Sequence, residues 1–104
     1  MDLISASSRL EALGNPTRLA VFRLLVRAGE AGLAVGQIQE RLSVPSSTLS
    51  HHIKSLMIVQ LIEQERVGKT LICRANYAEM NGLIGFLVAE CCADATCTTT
   101  EDAA

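Results

Sequence analysis

The chain has no tryptophan, and only three of its 104 residues are aromatic. Its apolar residues are therefore mostly Leu, Ile, Val and Ala, a set that suits packed helices. No apolar run approaches the roughly 20 residues with which a helix spans a bilayer, and no membrane partner is expected. The opening Met1-Asp2-Leu3-Ile4-Ser5 lacks the basic start of a secretory signal, and the expected location is cytoplasmic. Cysteines there are expected to be reduced, available as ligands rather than locked in disulfides. There is no internal repeat, no linker, and no Ser/His/Asp or acid/base constellation, so no enzyme is expected. Nor is the chain basic: its net charge is −2, which leans away from nucleic-acid binding when charge alone is considered.

What is present points elsewhere. Nearly half the residues, 49%, are hydrophobic. That is more than a small monomer easily hides, which predicts a homodimer with a sizeable interface. The acidity is partly a tail effect. The last fifteen residues, from Glu90, carry four acids and no base, whereas Gly36 to Ala75 carry five Lys/Arg against three Glu. The middle of the chain is mildly basic.

Periodicity predicts the elements. Residues 3–13 form a helix with Leu3, Ile4, Leu10 and Leu13 apolar, ended by Gly14. Asn15 is an N-cap and Pro16 a first helical residue. They open a second helix to about Ala28, with Leu19, Phe22, Leu25 and Val26 at helical spacing and Gly29 and Gly32 as breakers. Val35 to Leu42 is a third helix, Ser43-Val44-Pro45 a tight turn, and Ser46 to about Val59 a fourth helix with Leu49, Ile53, Leu56 and Met57 inward. Leu61–Glu65 and Thr70–Arg74 read as strands of a hairpin around Val67-Gly68-Lys69. From Tyr77 to Cys91 the pattern is helical again, with Met80, Leu83, Ile84, Leu87 and Val88 as an apolar stripe. The expected fold is mainly α with a β-hairpin wing, a winged helix-turn-helix over 1–92, and a cysteine-bearing, disordered tail over 93–104.

In such a fold the second helix of the pair enters the major groove of DNA. That helix offers Ser46, Ser47, Thr48, Ser50, His51 and Lys54 to phosphates and base edges, and Arg66 and Lys69 flank the glycine turn of the wing. The plainer alternative is a solvated polar face whose hydroxyls merely cap the helix. His52, beside the apolar face, reads as a semi-buried structural histidine. The chain resembles the ArsR/SmtB metalloregulators over about residues 5–92. Leu13-Gly14-Asn15-Pro16-Thr17-Arg18-Leu19 is similar to their "L-x-x-P-T-R-L" opening. The run from Leu42 to Leu56 is similar to their recognition helix, with its "S-T-V-S-x-H-L-K-x-L" ending, and Gly68-Lys69 fits their wing. The resemblance implies a homodimeric repressor built on its first and last helices, which binds double-stranded operator DNA and releases it on ligand binding. It turns Ser47, Thr48, Ser50 and His51 toward DNA. His51 stands where the family often carries arginine.

The residues present discriminate among that family's ligand sites. An arsenic site in an "E-L-C-V-C-D-L" helix would fall on Gly32 to Ile38, where both cysteines are missing. A zinc site along the last helix needs histidines, and that helix has none. There remain Cys91, Cys92 and Cys97, which resemble the family's arsenite sensors with a Cys-Cys pair at the helix end. Trivalent arsenic and antimony are soft and thiophilic, and three thiolates complete their pyramidal coordination. Consecutive helical residues point about 100° apart, so the helix must end near Cys91 for the pair to converge. The five residues from Cys92 to Cys97 reach about 17 Å when extended, enough to fold back.

As(III) or Sb(III) is thus the expected inducer, with no organic cofactor. A divalent soft metal, a monomethylated arsenic needing two thiols, and incidental cysteines stand as alternatives. So do thiol redox sensing and a winged helix used only for protein contacts. Redox sensing is disfavoured by the helix C-terminus, whose dipole opposes thiolate. Cys73, mid-strand, reads as packing.

Overall fold

Caps written into the sequence set the helix boundaries of the computed structural model, which describes residues 1–95. Helix α1 spans Leu3–Leu13, with the Asp2 carboxylate accepting from the Ser5 N–H at 2.7 Å. Helix α2 spans Pro16–Ala28. Asn15 Oδ1 accepts from the N–H groups of Thr17 and Arg18 at 2.9 and 3.1 Å, and Pro16 takes the first helical position, where its missing N–H costs nothing. A 3-10 turn over Gly29–Ala31 leads into a two-residue strand, β1 (Leu33–Ala34), then α3 (Val35–Leu42) and α4 (Ser46–Ile58). Strands β2 (Ile62–Val67) and β3 (Thr70–Ala75) form the wing, and α5 covers Tyr77–Val88.

The sheet is antiparallel, in the order β1-β3-β2, with Leu33 opposite Cys73 and Gln64 opposite Cys73 on the other side. Strand β1 was not expected from the sequence, because two residues carry no periodicity. Gly32 makes it possible: its φ is +70°, and a Cβ there would lie 2.4 Å from the Cys73 carbonyl oxygen. The hairpin turn is Gly68-Lys69 alone. Val67 belongs to β2 and pairs with Thr70, with Gly68 at φ +64°.

One core joins the elements. Val21, Phe22 and Leu25 of α2 meet Ile38 of α3, Leu49, Ile53 and Leu56 of α4, and Leu61, Ile62 and Cys73 of the wing base. Tyr77 ties α5 to α2 by donating its hydroxyl to the Val26 carbonyl at 3.0 Å. Among the described residues no helix is long and apolar enough to cross a membrane.

The inner face of α1 is Ala6, Arg9 and Ala12, while its apolar Leu3, Ile4 and Leu10 face outward. Small side chains let α1 lie close to its neighbours, so its large ones are left over. Two expectations need correction. Leu19, read at helical spacing with Phe22 and Leu25, is exposed, and Val21 takes the buried place. Helix α5 stops at Val88, three residues before Cys91, and continues as turns in which Cys91 N–H bonds to the Val88 carbonyl and Ala93 N–H to that of Glu90. Its residues Ile84, Leu87 and Val88 are exposed. The expected tail lies outside the described residues from position 96 onward.

His52 fits its structural reading. Its Nδ1 is buried without a hydrogen-bond partner. Burial, then the Arg18 charge and His51, hold its pKa below the ordinary imidazole value. A histidine kept neutral in the native state binds fewer protons there than when unfolded. Its contribution is fully present above the unfolded value of about 6.5 and is lost as pH falls from there toward the lower native value. Urea unfolding at pH 8 and at pH 5.5 is expected to show lower stability at the acidic pH, and His52→Gln is expected to shrink that difference.

Candidate DNA-reading surface and thiol pair

The inner face of α4 is closed, with Leu49 and Leu56 fully buried and Ile53 at 3% exposure. Helical geometry then turns the intervening residues outward. Ser46, Ser47, Thr48, Ser50, His51 and Lys54 are all exposed. The N-cap position of α4 is Pro45, which makes no side-chain cap. Ser55, the serine in this helix that bonds to the backbone, donates to the His51 carbonyl at 3.1 Å. The hydroxyls at 46, 47, 48 and 50 thus make no capping hydrogen bond among the described residues.

The wing lies beside this face. A cleft of about 440 Å³ is lined by Ser50, His51, Lys54 and Met57 of α4 and by Gln64 and Leu71 of the hairpin. Arg66 and Lys69 are exposed farther out on β2 and in its turn. Among the described residues, ion pairs link Arg9 to Glu79 and Arg74 to Glu65, and leave Lys54, Arg66 and Lys69 unpaired. Arg74 is engaged again by the Glu30 carbonyl at 2.7 Å. Arg74 is thus compensated at the base of the wing, whereas Lys54 on the reading helix and Arg66 and Lys69 toward the wing tip carry positive charge with no ion pair among the described residues. Gln64 is the contributor that sequence reasoning missed. Its place on β2 opposite Cys73 gave a signal only once the register was known.

Beyond the end of α5, Cys91 and Cys92 are exposed, with sulfurs 3.6 Å apart. Two features bring them together. The helix has already ended, and Cys92 takes φ +61°, a left-handed conformation that bends the chain between the two residues. Both sulfurs can reach one ion at a thiolate–metal distance of about 2.3 Å. Cys91 is a free thiol and Cys92 is disulfide-bonded, so a thiolate site at the pair requires reduction first. Cys97, the third expected ligand, lies outside the described residues. Among the described residues no group of three or more His, Cys, Asp or Glu side chains could hold a metal ion. Cys73 is fully buried in the sheet, where Gln64 Nε2 donates to its sulfur at 3.5 Å. Burial pushes its thiol pKa up, which keeps it protonated and inert, as packing requires.

A short helix pair followed by a basic hairpin, with unpaired hydroxyls and a lysine on the second helix, defines a winged helix-turn-helix DNA-binding protein. Residues 13–65 match the helix-turn-helix domain family. An uncharacterized HTH-type transcriptional regulator of Methanocaldococcus jannaschii is 32% identical over 63 residues, which is 61% of this chain and 68% of that protein. An ArsR-like transcriptional regulator from Rhodococcus sp. RHA1 superposes with a TM-score of 0.71 at 27% identity, covering 81% of this chain and 76% of that one. The homodimeric winged helix-turn-helix DNA-binding domain of a Mycobacterium bovis regulator shares the fold, with a TM-score of 0.65 at 24% identity over 86% and 82% of the two chains. The chain belongs to this helix-turn-helix family, as a transcriptional regulator of ArsR type rather than an enzyme.

The hydroxyl-bearing face yields a direct test. Ser47→Ala combined with Ser50→Ala is expected to weaken DNA binding about tenfold or more, at roughly 1 kcal/mol for each lost hydrogen bond, with the thermal midpoint unchanged. Fluorescence anisotropy on a duplex from the upstream region measures it. Unchanged affinity would place the reading face elsewhere.

Proposed function

We propose that the protein is a metalloid-responsive transcriptional repressor of the cytoplasm. It binds double-stranded operator DNA as a homodimer and is released when As(III) or Sb(III) binds Cys91, Cys92 and Cys97. The observation that carries this reading is the sulfur pair 3.6 Å apart, just beyond the end of a helix whose Ile84, Leu87 and Val88 are exposed. Those residues, with Leu3, Ile4 and Leu10 of α1, are the apolar surface a second copy would cover. A ligand at the pair therefore acts on the dimer helix directly. Soft trivalent ions suit an all-sulfur site.

Ser46, Ser47, Thr48, Ser50, His51 and Lys54 enter the major groove in this reading, while Arg66 and Lys69 contact the neighbouring backbone. In a dimer the two recognition helices must stand about 34 Å apart to meet successive major grooves. A shift of α5 alters that spacing.

One observation favours a second reading. Cys92 is disulfide-bonded, so a thiol switch responding to oxidant is the competing mechanism. A gel-shift on the protein's own upstream DNA separates the two. Under reducing conditions arsenite is expected to release the DNA, and Cys91→Ser, Cys92→Ser or Cys97→Ser is expected to bind DNA normally but release poorly. Cys73→Ser is expected to behave as the wild type. Release by oxidant with no arsenite effect would favour the redox switch, and full release by Cys97→Ser would leave a two-thiol site. The dimer has its own test: light scattering at micromolar concentration is expected to give twice the chain mass, and Ile84→Glu with Leu87→Glu the chain mass.

A further inference from the structure

The described residues contain one buried charged side chain. Arg9, on the inner face of α1, is 8% exposed. Its Nη2 pairs with Glu79 Oε1 at 3.0 Å and donates to Gln60 Oε1 at 3.5 Å, while its Nε is buried with no partner. The two acceptors belong to different machinery. Glu79 sits in the first turn of α5, and its N–H bonds to the capping Asn76 side chain at 3.3 Å. Gln60 lies immediately beyond the end of the recognition helix. One guanidinium thus holds α1, the start of α5 and the end of α4 together.

Stability alone does not account for this arrangement. Arg9 is buried and Glu79 about a third exposed, and an ion pair of that kind contributes little net stability once the desolvation of the buried charge is counted. The backbone at Gln60 makes the same point independently. Gln60 N–H bonds to the Met57 carbonyl at 2.9 Å and Leu61 N–H to that of Leu56 at 3.0 Å, the hydrogen-bond pattern of a helix terminated by a left-handed residue, where glycine is usual. Here φ is +67° on a glutamine. Glycine would fit the backbone better but could not accept from Arg9.

We propose that Arg9, Glu79 and Gln60 are positioning residues for DNA reading: the junction fixes the angle of α4 against α1 and α5, and so the separation of the two recognition helices in a dimer. This rests on the DNA-binding dimer proposed above. Its signature is discrimination between operator spacings, since inserting one base pair turns one half-site by roughly 35° relative to the other. A protein with rigidly held recognition helices rejects such a site, and one with loosened helices tolerates it.

The test uses the reduced full-length protein and two duplexes from the footprinted upstream region, one native and one with a base pair inserted between the half-sites. The readout is the ratio of the two affinities. The wild type is expected to prefer the native spacing about tenfold or more. Gln60→Gly is expected to lower that ratio about fivefold, with the thermal midpoint equal or raised because the strained backbone is relieved. Gln60→Glu, which keeps an acceptor, is expected to stay near the wild type. Arg9→Met tests the donor side, and should it not fold, the Gln60 pair decides alone. If Gln60→Gly folds and discriminates as the wild type does, the junction has no positioning role. Absence of binding by the wild type to either duplex would instead overturn the DNA-reading proposal, and the junction's role with it.

Discussion

The molecule depends on how the recognition helix is gripped. Leu49, Ile53 and Leu56 occupy one stripe of α4 and are sealed against α2, α3 and the base of the wing. A buried leucine contributes on the order of 2 kcal/mol or more through burial alone, so this face cannot rotate outward. Every exposed position on α4 follows from that fixed phase, including the hydroxyls at 46, 47, 48 and 50 and the Lys54 amine. Among the described residues, the side chains of Ser46, Ser47, Thr48, Ser50, His51 and Lys54 make no hydrogen bond or ion pair, and the orientation of this face rests on the buried stripe instead. The face is left free to make them with something else.

The same economy explains the charges. A chain with net charge −2 is an unpromising partner for DNA if the charge is spread evenly. It is not spread evenly. Arg9 pairs with Glu79 within the fold, and Arg74 pairs with Glu65 at the surface of the wing base, so neither arginine offers an uncompensated charge. Lys54, Arg66 and Lys69 are left uncancelled on one side of the molecule. Partition, more than total charge, makes that side suitable for a polyanion.

Much of this was legible in the sequence, for identifiable reasons. Strong local signals marked the core helices and the wing: the Asn15-Pro16 start of α2, the 3.6-residue stripe of α4, and a turn around Gly68, read one residue too long at Val67. The winged architecture followed from their order. The parts that were not legible depended on contacts between segments distant in sequence. Strand β1 exists only because Gly32 lets the chain press against Cys73. The inner face of α1 is marked by two alanines and an arginine, and a hydrophobicity pattern scores these below Leu3, Ile4 and Leu10, which in fact face outward. The role of Gln60 needs its left-handed φ, which no composition rule assigns to glutamine. At the thiols, the need for the helix to end was predictable from the angle between successive side chains. Its end at Val88 was not, since the apolar pattern continues to Cys91.

The position of the sulfur pair outside the core bears on the proposed switch. A ligand shifts an equilibrium only by its difference in affinity for the two states, so a metalloid that bound the DNA-competent and DNA-incompetent forms equally would release nothing. A difference of about 1–3 kcal/mol suffices for a useful response. The core cannot supply it cheaply, because rearranging sealed side chains such as Leu49 or Cys73 would cost more than the coupling requires. The chain after Val88 can. It is held by single-turn backbone bonds, its residues from Ala89 to Ala95 are exposed, and it continues directly from the outward apolar face of α5. Drawing three thiolates onto one ion there would reorganise the end of the proposed dimer helix while leaving the fold of each protomer intact. In that arrangement the ligand changes how two reading heads are presented, without altering either one.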